Sequence, residues 1–153
     1  MERVVVLDNI RSAHNVGAIF RTADGAGVSK IYLTGYTPLP IDRFGRVQPE
    51  IEKTSLGATE SVAWEAAEDI EDILRRLKHE GYAVVAIEQD DRSVGYMEWR
   101  PKNKTAFIFG NEVDGIQPVA RECADSILEI PMYGDKESLN VSVAAGIILY
   151  HFA

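Results

Sequence analysis

The sequence predicts an α/β domain with a mainly parallel sheet and helices on both faces, and three observations predict it. Short runs rich in β-branched residues alternate with stretches of helical periodicity. Most of those runs are apolar throughout, as strands covered on both faces should be. The length of 153 residues, with 46% hydrophobic and 26% charged, suits a single domain over residues 1–153 that buries its own core. No internal repeat, low-complexity tract or linker divides it.

Residues 4–7 read as the first strand. Val16, Ile19, Phe20 and Ala23 then form the stripe of an amphipathic helix, with Asn15 where an N-cap belongs and Gly25 and Gly27 as the stop. Residues 30–33 give a second strand. Residues 35–49 hold three prolines and two glycines and no periodicity, so they predict a surface loop of functional length. Ile70, Ile73, Leu74 and Leu77 repeat the helical stripe, and Gly81 ends it. Strands follow at 83–87, 106–109 and 127–130, with an irregular segment at 89–103 that has Trp99, Arg100, Lys102 and Lys104 at or beside its end. From Leu139 onward a helix is apolar on every face. Such a helix must be covered all round. A second copy of the chain does this most economically, which predicts a homodimer; a deep core helix is the simpler alternative.

The 16 basic and 24 acidic residues give a net charge of −8. Taken alone, that balance favours a small acidic metabolite enzyme over a nucleic-acid binder. Cys123 is the only cysteine, and His14, His79 and His151 are scattered. An internal disulfide, a thiolate cluster and a metal-ligand spacing are therefore all missing, which points to a reducing cytoplasm and no metal. Met1-Glu2-Arg3 and four apolar residues make no signal peptide, and the apolar stretch at 141–153 is too short to span a bilayer. No phosphate loop, dinucleotide fingerprint or nucleophile elbow appears.

Three constellations could carry chemistry. In Asn15-Val-Gly17-Ala-Ile-Phe-Arg21, Gly17 lies one turn below Arg21 and leaves a ledge where a phosphate or second chain could approach. The plainer reading is a capped helix with a surface arginine. Phe109-Gly110-Asn111-Glu112-Val-Asp-Gly115 follows a strand, where α/β sheets bind ligands; alone it is also an ordinary glycine turn. Ile130-Pro131-Met132-Tyr133-Gly134, a short gap, and Ser138-Leu139-Asn140-Val141-Ser142 lead from a strand into the last helix. Capping accounts for Ser138 but leaves Asn140 and Ser142 as polar residues in need of partners.

In this order and spacing the three segments resemble the signature motifs of the SpoU/TrmH family of RNA 2′-O-ribose methyltransferases, and the match runs over essentially the whole chain. The resemblance implies a C-terminal trefoil knot that binds S-adenosylmethionine, and a dimer with its site near the subunit interface. It implies Arg21 at the reacting ribose, with Asn15, Glu112, Ser138 and Asn140 around it. Gly110, Ile130, Met132 and Leu139 would contact the methyl donor, joined less firmly by Ile87 and Glu88 at the end of the preceding strand. Many relatives carry an RNA-binding extension; this chain reads as the methyltransferase domain without one.

The donor carries the hard chemistry, and the protein must orient it and manage one proton. A guanidinium hardly deprotonates, so Arg21 is expected to clamp an RNA phosphate and stabilise the developing alkoxide rather than act as the base. Only RNA has the accepting 2′-hydroxyl, which excludes DNA, and a tRNA loop or an exposed rRNA loop is the expected target; resemblance to the family's minimal members implies the tRNA anticodon loop, though the first motif fixes no position. A catalytically silent RNA-binding module of the same fold is the alternative. The charge divides unevenly: residues 1–60 are neutral with 7 basic and 7 acidic residues, and the later part, with 9 and 17, carries the whole excess. RNA is therefore expected near Arg11, Arg43 and Arg46.

Overall fold

The computed structural model describes all 153 residues. Seven strands form one parallel sheet, namely β1 (Glu2–Asp8), β2 (Lys30–Thr34), β3 (Ala63–Ala67), β4 (Ala83–Ile87), β5 (Val94–Gly95), β6 (Lys104–Phe109) and β7 (Ser126–Glu129). Their order is β3-β2-β1-β6-β4-β7-β5. The helices are α1 (Ala13–Ala26), α2 (Pro49–Ser55), α3 (Ala58–Ser61), α4 (Ile70–His79), α5 (Pro118–Cys123) and α6 (Val141–His151).

Alternate side chains of each central strand enter opposite cores. Val5 and Leu7 join Phe107, Phe109, Ile19 and Phe20 under α1, α2 and α6. Val4 and Val6 join Ile108, Ile73, Leu74 and Leu77 under α4 and α5. Two-sided burial is why these strands read as unbroken apolar runs. The predicted fold class, and the five predicted strands to within two residues at either end, agree with the structure.

Several local expectations need correction. Asn15 is not the cap of α1: Ser12 is, its hydroxyl accepting from the Asn15 amide at 3.1 Å. Asn15 stands in the first helical turn, which frees its side chain for other work. Gly25 lies inside α1, and Gly27 alone ends it, at φ 75°. Gly17 leaves no open ledge. A Cβ there would meet Thr54 and come within 2.7 Å of the Ile51 carbonyl oxygen, so the glycine sets how closely α1 and α2 cross. Two short helices and β3 fill residues 49–67, and β5 with a single 3₁₀ turn interrupts the 89–103 segment. Asn140, not Ser138, caps α6, accepting from the Ser142 amide at 2.8 Å. That also supplies the partner Asn140 lacked on sequence grounds.

One buried cation ties the helix ends together. Arg3, 8% exposed, donates to the carbonyl of Ala26 at 2.7 Å and to that of Leu149 at 3.3 Å. These are the last turns of α1 and α6, where unsatisfied carbonyls carry the negative ends of the helix dipoles. Burial without a carboxylate partner lowers its pKa. The α6 helix is covered at Val141, Ala145, Ile148 and Leu149, but Val143 and Tyr150 remain half exposed.

Candidate active site

A cleft opens at the carboxyl ends of β4, β6 and β7, beside the point where the sheet order reverses, as α/β folds favour. It encloses about 180 Å³. Ile87 ends β4 and Glu88 follows it, the 110–115 loop follows β6, and Glu129 ends β7, with Ile130, Ser138 and Leu139 after it. Val141 and Ala144 of α6 close it.

Backbone packing shapes the wall after β6. Asn111 and Gly115 exchange both main-chain hydrogen bonds, at 3.1 and 2.9 Å, and the Asn111 side chain accepts from the Val113 and Asp114 amides. A Cβ on Gly110 would lie 2.6 Å from the Gly115 carbonyl, and one on Gly115, at φ 72°, would meet the Glu88 carboxylate. Both glycines are therefore demanded by close approach. Glu88 in turn accepts from the Ile116 amide at 2.8 Å, fastening β4 to this loop.

Glu112 joins the first two motifs. Its carboxylate accepts from the amides of Arg11 (2.8 Å) and Ser12 (3.0 Å) and from the Asn15 side chain (3.1 Å), so it sits at the positive end of α1. Burial pushes its pKa up, but the donated hydrogen bonds outweigh it and hold the carboxyl below the ordinary value of 4.5. Asn15 also accepts from Asn140 at 3.3 Å, which brings in the third motif. The three motifs thus meet in one chain of contacts, Glu112–Asn15–Asn140. Glu112→Gln, which puts an amide against those donors, should cost about 1–2 kcal/mol at neutral pH. Because the native pKa is lowered, this stability is present above the unfolded value and is lost as pH falls through the native one. Urea midpoints of the two proteins should therefore differ at pH 7 and converge in acid; a constant gap would refute the assignment.

Of the residues singled out from sequence, Ile87, Glu88, Gly110, Glu112, Ile130, Ser138 and Leu139 line the cleft. Asn15 and Asn140 stand behind it through Glu112. Met132 does not line it. Arg21 does not either: exposed on α1, it lines a separate and larger groove of about 840 Å³ with His14, Lys53 and Tyr150. Arg11 is exposed at the N-terminal end of α1, and Arg43 and Arg46 stand on the tip of the 35–48 loop. Sequence reasoning missed Glu129, at the very end of β7, and Asn111, whose amide donates to the Asn9 carbonyl and the Tyr36 hydroxyl. A polar residue ending an apolar strand was the available signal for Glu129.

The cleft's electrostatics are one-sided. Glu88, Glu112 and Glu129 are among its lining residues, beside Gln89, Asn111, Ser138 and apolar side chains, and no lysine, arginine or histidine lines it. Such a site disfavours phosphate and favours a compact cation.

A family model described as SpoU rRNA methylase matches residues 2–150. The chain belongs to that family. Among SpoU relatives, it is 34% identical over 146 residues to the 23S rRNA (guanosine-2′-O-)-methyltransferase RlmB of Neisseria meningitidis, covering 95% of this chain and 56% of that one. It is 35% identical over 151 residues to the tRNA (guanosine(18)-2′-O)-methyltransferase of Aquifex aeolicus, covering 96% and 66%. The chain thus spans between about half and two thirds of these relatives' length. The AdoMet-bound rRNA methyltransferase of Sinorhizobium meliloti superposes with a TM-score of 0.88 at 32% identity, over 97% of this chain and 54% of that one. A shorter chain, from a structure concerned with 2-OH methylation of C/U34 on tRNA, superposes with a TM-score of 0.79 at 26% identity and covers 98% of this chain and 93% of that one.

Proposed function

We propose that this chain transfers the methyl group of S-adenosylmethionine to a ribose 2′-hydroxyl of RNA, a tRNA loop ahead of an rRNA loop. The observation that carries the reading is the cleft with three carboxylates, apolar walls and no cation, at the meeting point of the three motifs. A sulfonium donor suits that lining, and the glycine cradle at Gly110 lets backbone groups approach it closely. The knot implied by the family resemblance draws support from β4, flanked by two strands that follow it in sequence, β6 and β7.

When bound, the donor supplies a methyl group on positively charged sulfur: the carbon–sulfur bond breaks as the carbon–oxygen bond forms. The residues of this chain hold the geometry and manage the 2′-hydroxyl proton. Ile87, Ile130 and Leu139 exclude water from the donor's apolar parts. Glu112 is engaged by three donors, so it acts as a positioning residue that fixes the start of α1 against the cleft rather than as a free base. Arg21 stabilises the alkoxide that develops as the 2′-hydroxyl proton passes to solvent water, and Arg11, Arg43 and Arg46 meet the RNA backbone.

Because Arg21 opens onto a groove apart from the cleft of its own chain, the reading includes a homodimer. The half-exposed Val143 and Tyr150 of α6 support it. Incubation with methyl-labelled donor and bulk tRNA or rRNA tests the activity. Label is expected in tRNA as a 2′-O-methylated nucleotide, read by mass spectrometry. Donor and RNA binding without any transfer would favour the silent module instead.

A further inference from the structure

The loop after β2 ends in a small braced hairpin. Ile41 and Val47 bridge antiparallel, and the Gln48 amide donates to the Pro40 carbonyl at 3.0 Å. Across the tip, the Asp42 amide donates to the Arg46 carbonyl and the Gly45 amide to the Asp42 carbonyl. The Asp42 side chain accepts from the Phe44 and Arg46 amides at 2.8 and 3.0 Å. Gly45 takes φ 78°, which this turn requires.

That bracing holds a phenyl ring out in water. Phe44 is 67% exposed, with the guanidiniums of Arg43 and Arg46 at 4.9 and 5.1 Å from its centroid. Phe44 is not part of either hydrophobic core. Arg46 is partly neutralised by Asp42 at 2.8 Å, and Arg43 forms no ion pair. A rigid tip that presents an aromatic face between cations matches one chemical partner closely: a nucleobase stacks on the ring while its flanking phosphates meet the guanidiniums. An anionic lipid surface would call for a larger basic cluster than this. The same loop begins at the cleft, where the Tyr36 hydroxyl accepts from Asn111 at 2.7 Å.

We propose that Phe44 is a stacking platform for one unpaired base of the substrate RNA, beside the ribose delivered to the cleft. This rests on the RNA-modifying reading above and adds how the RNA is recognised: by an unstacked base and not by duplex shape. Base stacking of this kind is sequence-tolerant, so the platform selects loops over helices.

The test is fluorescence anisotropy with a labelled RNA stem–loop and a labelled RNA duplex, alongside methyl transfer. Phe44→Ala should weaken stem–loop binding about tenfold, leave duplex binding unchanged and leave the salt dependence as it was. Phe44→Trp should keep full affinity. Arg43→Ala should instead weaken both RNAs and flatten the salt dependence by about one counterion. Equal loss on both RNAs in Phe44→Ala, no loss on the stem–loop, or no RNA binding by the native protein would overturn the proposal. So would binding to phosphatidylserine vesicles that alone depends on Phe44. Methyl transfer unaffected by Phe44→Ala would sink the platform and leave the activity standing. Phe44-dependent stem–loop binding without transfer would do the reverse.

Discussion

Gly110→Ala is expected to lower affinity for S-adenosylhomocysteine, the demethylated donor, by roughly tenfold to a hundredfold, matching the 1–3 kcal/mol of a typical overpacked site. The three atoms nearest the added Cβ are main-chain: the carbonyl carbon and oxygen of Gly115 at 2.6 Å and the Ile116 amide nitrogen at 2.7 Å. No side chain can swing away to make room, so the 110–115 loop must open. Opening it disturbs the paired hydrogen bonds between Asn111 and Gly115 and the Ile116–Glu88 contact. Both features shape the cleft wall, and the loop is anchored in both cores through Phe109 and Ile116, so a fall in the thermal midpoint should accompany the loss of affinity. Titration calorimetry on the folded variant measures the effect. Native affinity in Gly110→Ala would mean that this loop is not the donor's cradle.

The sequence exposes some levels of this structure better than others. Strands buried on both faces announce themselves because two apolar cores require apolar residues at every position, as in residues 4–7 and 106–109. The segment from Pro49 to Ala67 was opaque for the opposite reason. Helix α2 is two turns long and buries Ile51 and Ser55, and edge strand β3 is half exposed, so neither repeats a pattern long enough to read. The capping errors have a shared cause as well. Asn and Ser are both good caps, and proximity in sequence does not decide which one turns toward the helix. At Asn15 and Asn140 the decision falls to tertiary partners. Glu112, almost a hundred residues away, draws Asn15 inward, and Asn15 then receives Asn140. Motif spacing revealed that these segments belong together, but not that a carboxylate satisfied by backbone amides joins them. Gly17 shows the limit most clearly. A glycine reads as empty space in sequence, while here the space is filled by the backbone of α2.

Arg21→Ala should cut methyl transfer about a hundredfold to a thousandfold, the usual cost of removing one stabiliser of developing charge, without altering donor affinity. Arg21→Lys should recover little of it, since a point charge cannot replace the bidentate fork on a phosphate; native activity in the lysine variant would refute the clamp. The groove that holds Arg21 and the cleft share no lining residue, so within one protomer the guanidinium has no route onto the donor through a common wall. The proposed homodimer supplies a route if the groove of one subunit meets the cleft of its partner. Under that arrangement Arg21→Ala and Gly110→Ala disable different halves of each composite site. Mixing the two proteins through unfolding and refolding gives about half heterodimers, each with one intact site, so at a donor concentration that leaves Gly110→Ala largely unloaded roughly a quarter of native activity should return. If the mixture stays inactive although heterodimers form, Arg21 serves the cleft of its own chain. That outcome would require the 110–115 loop and α1 to move together when RNA binds.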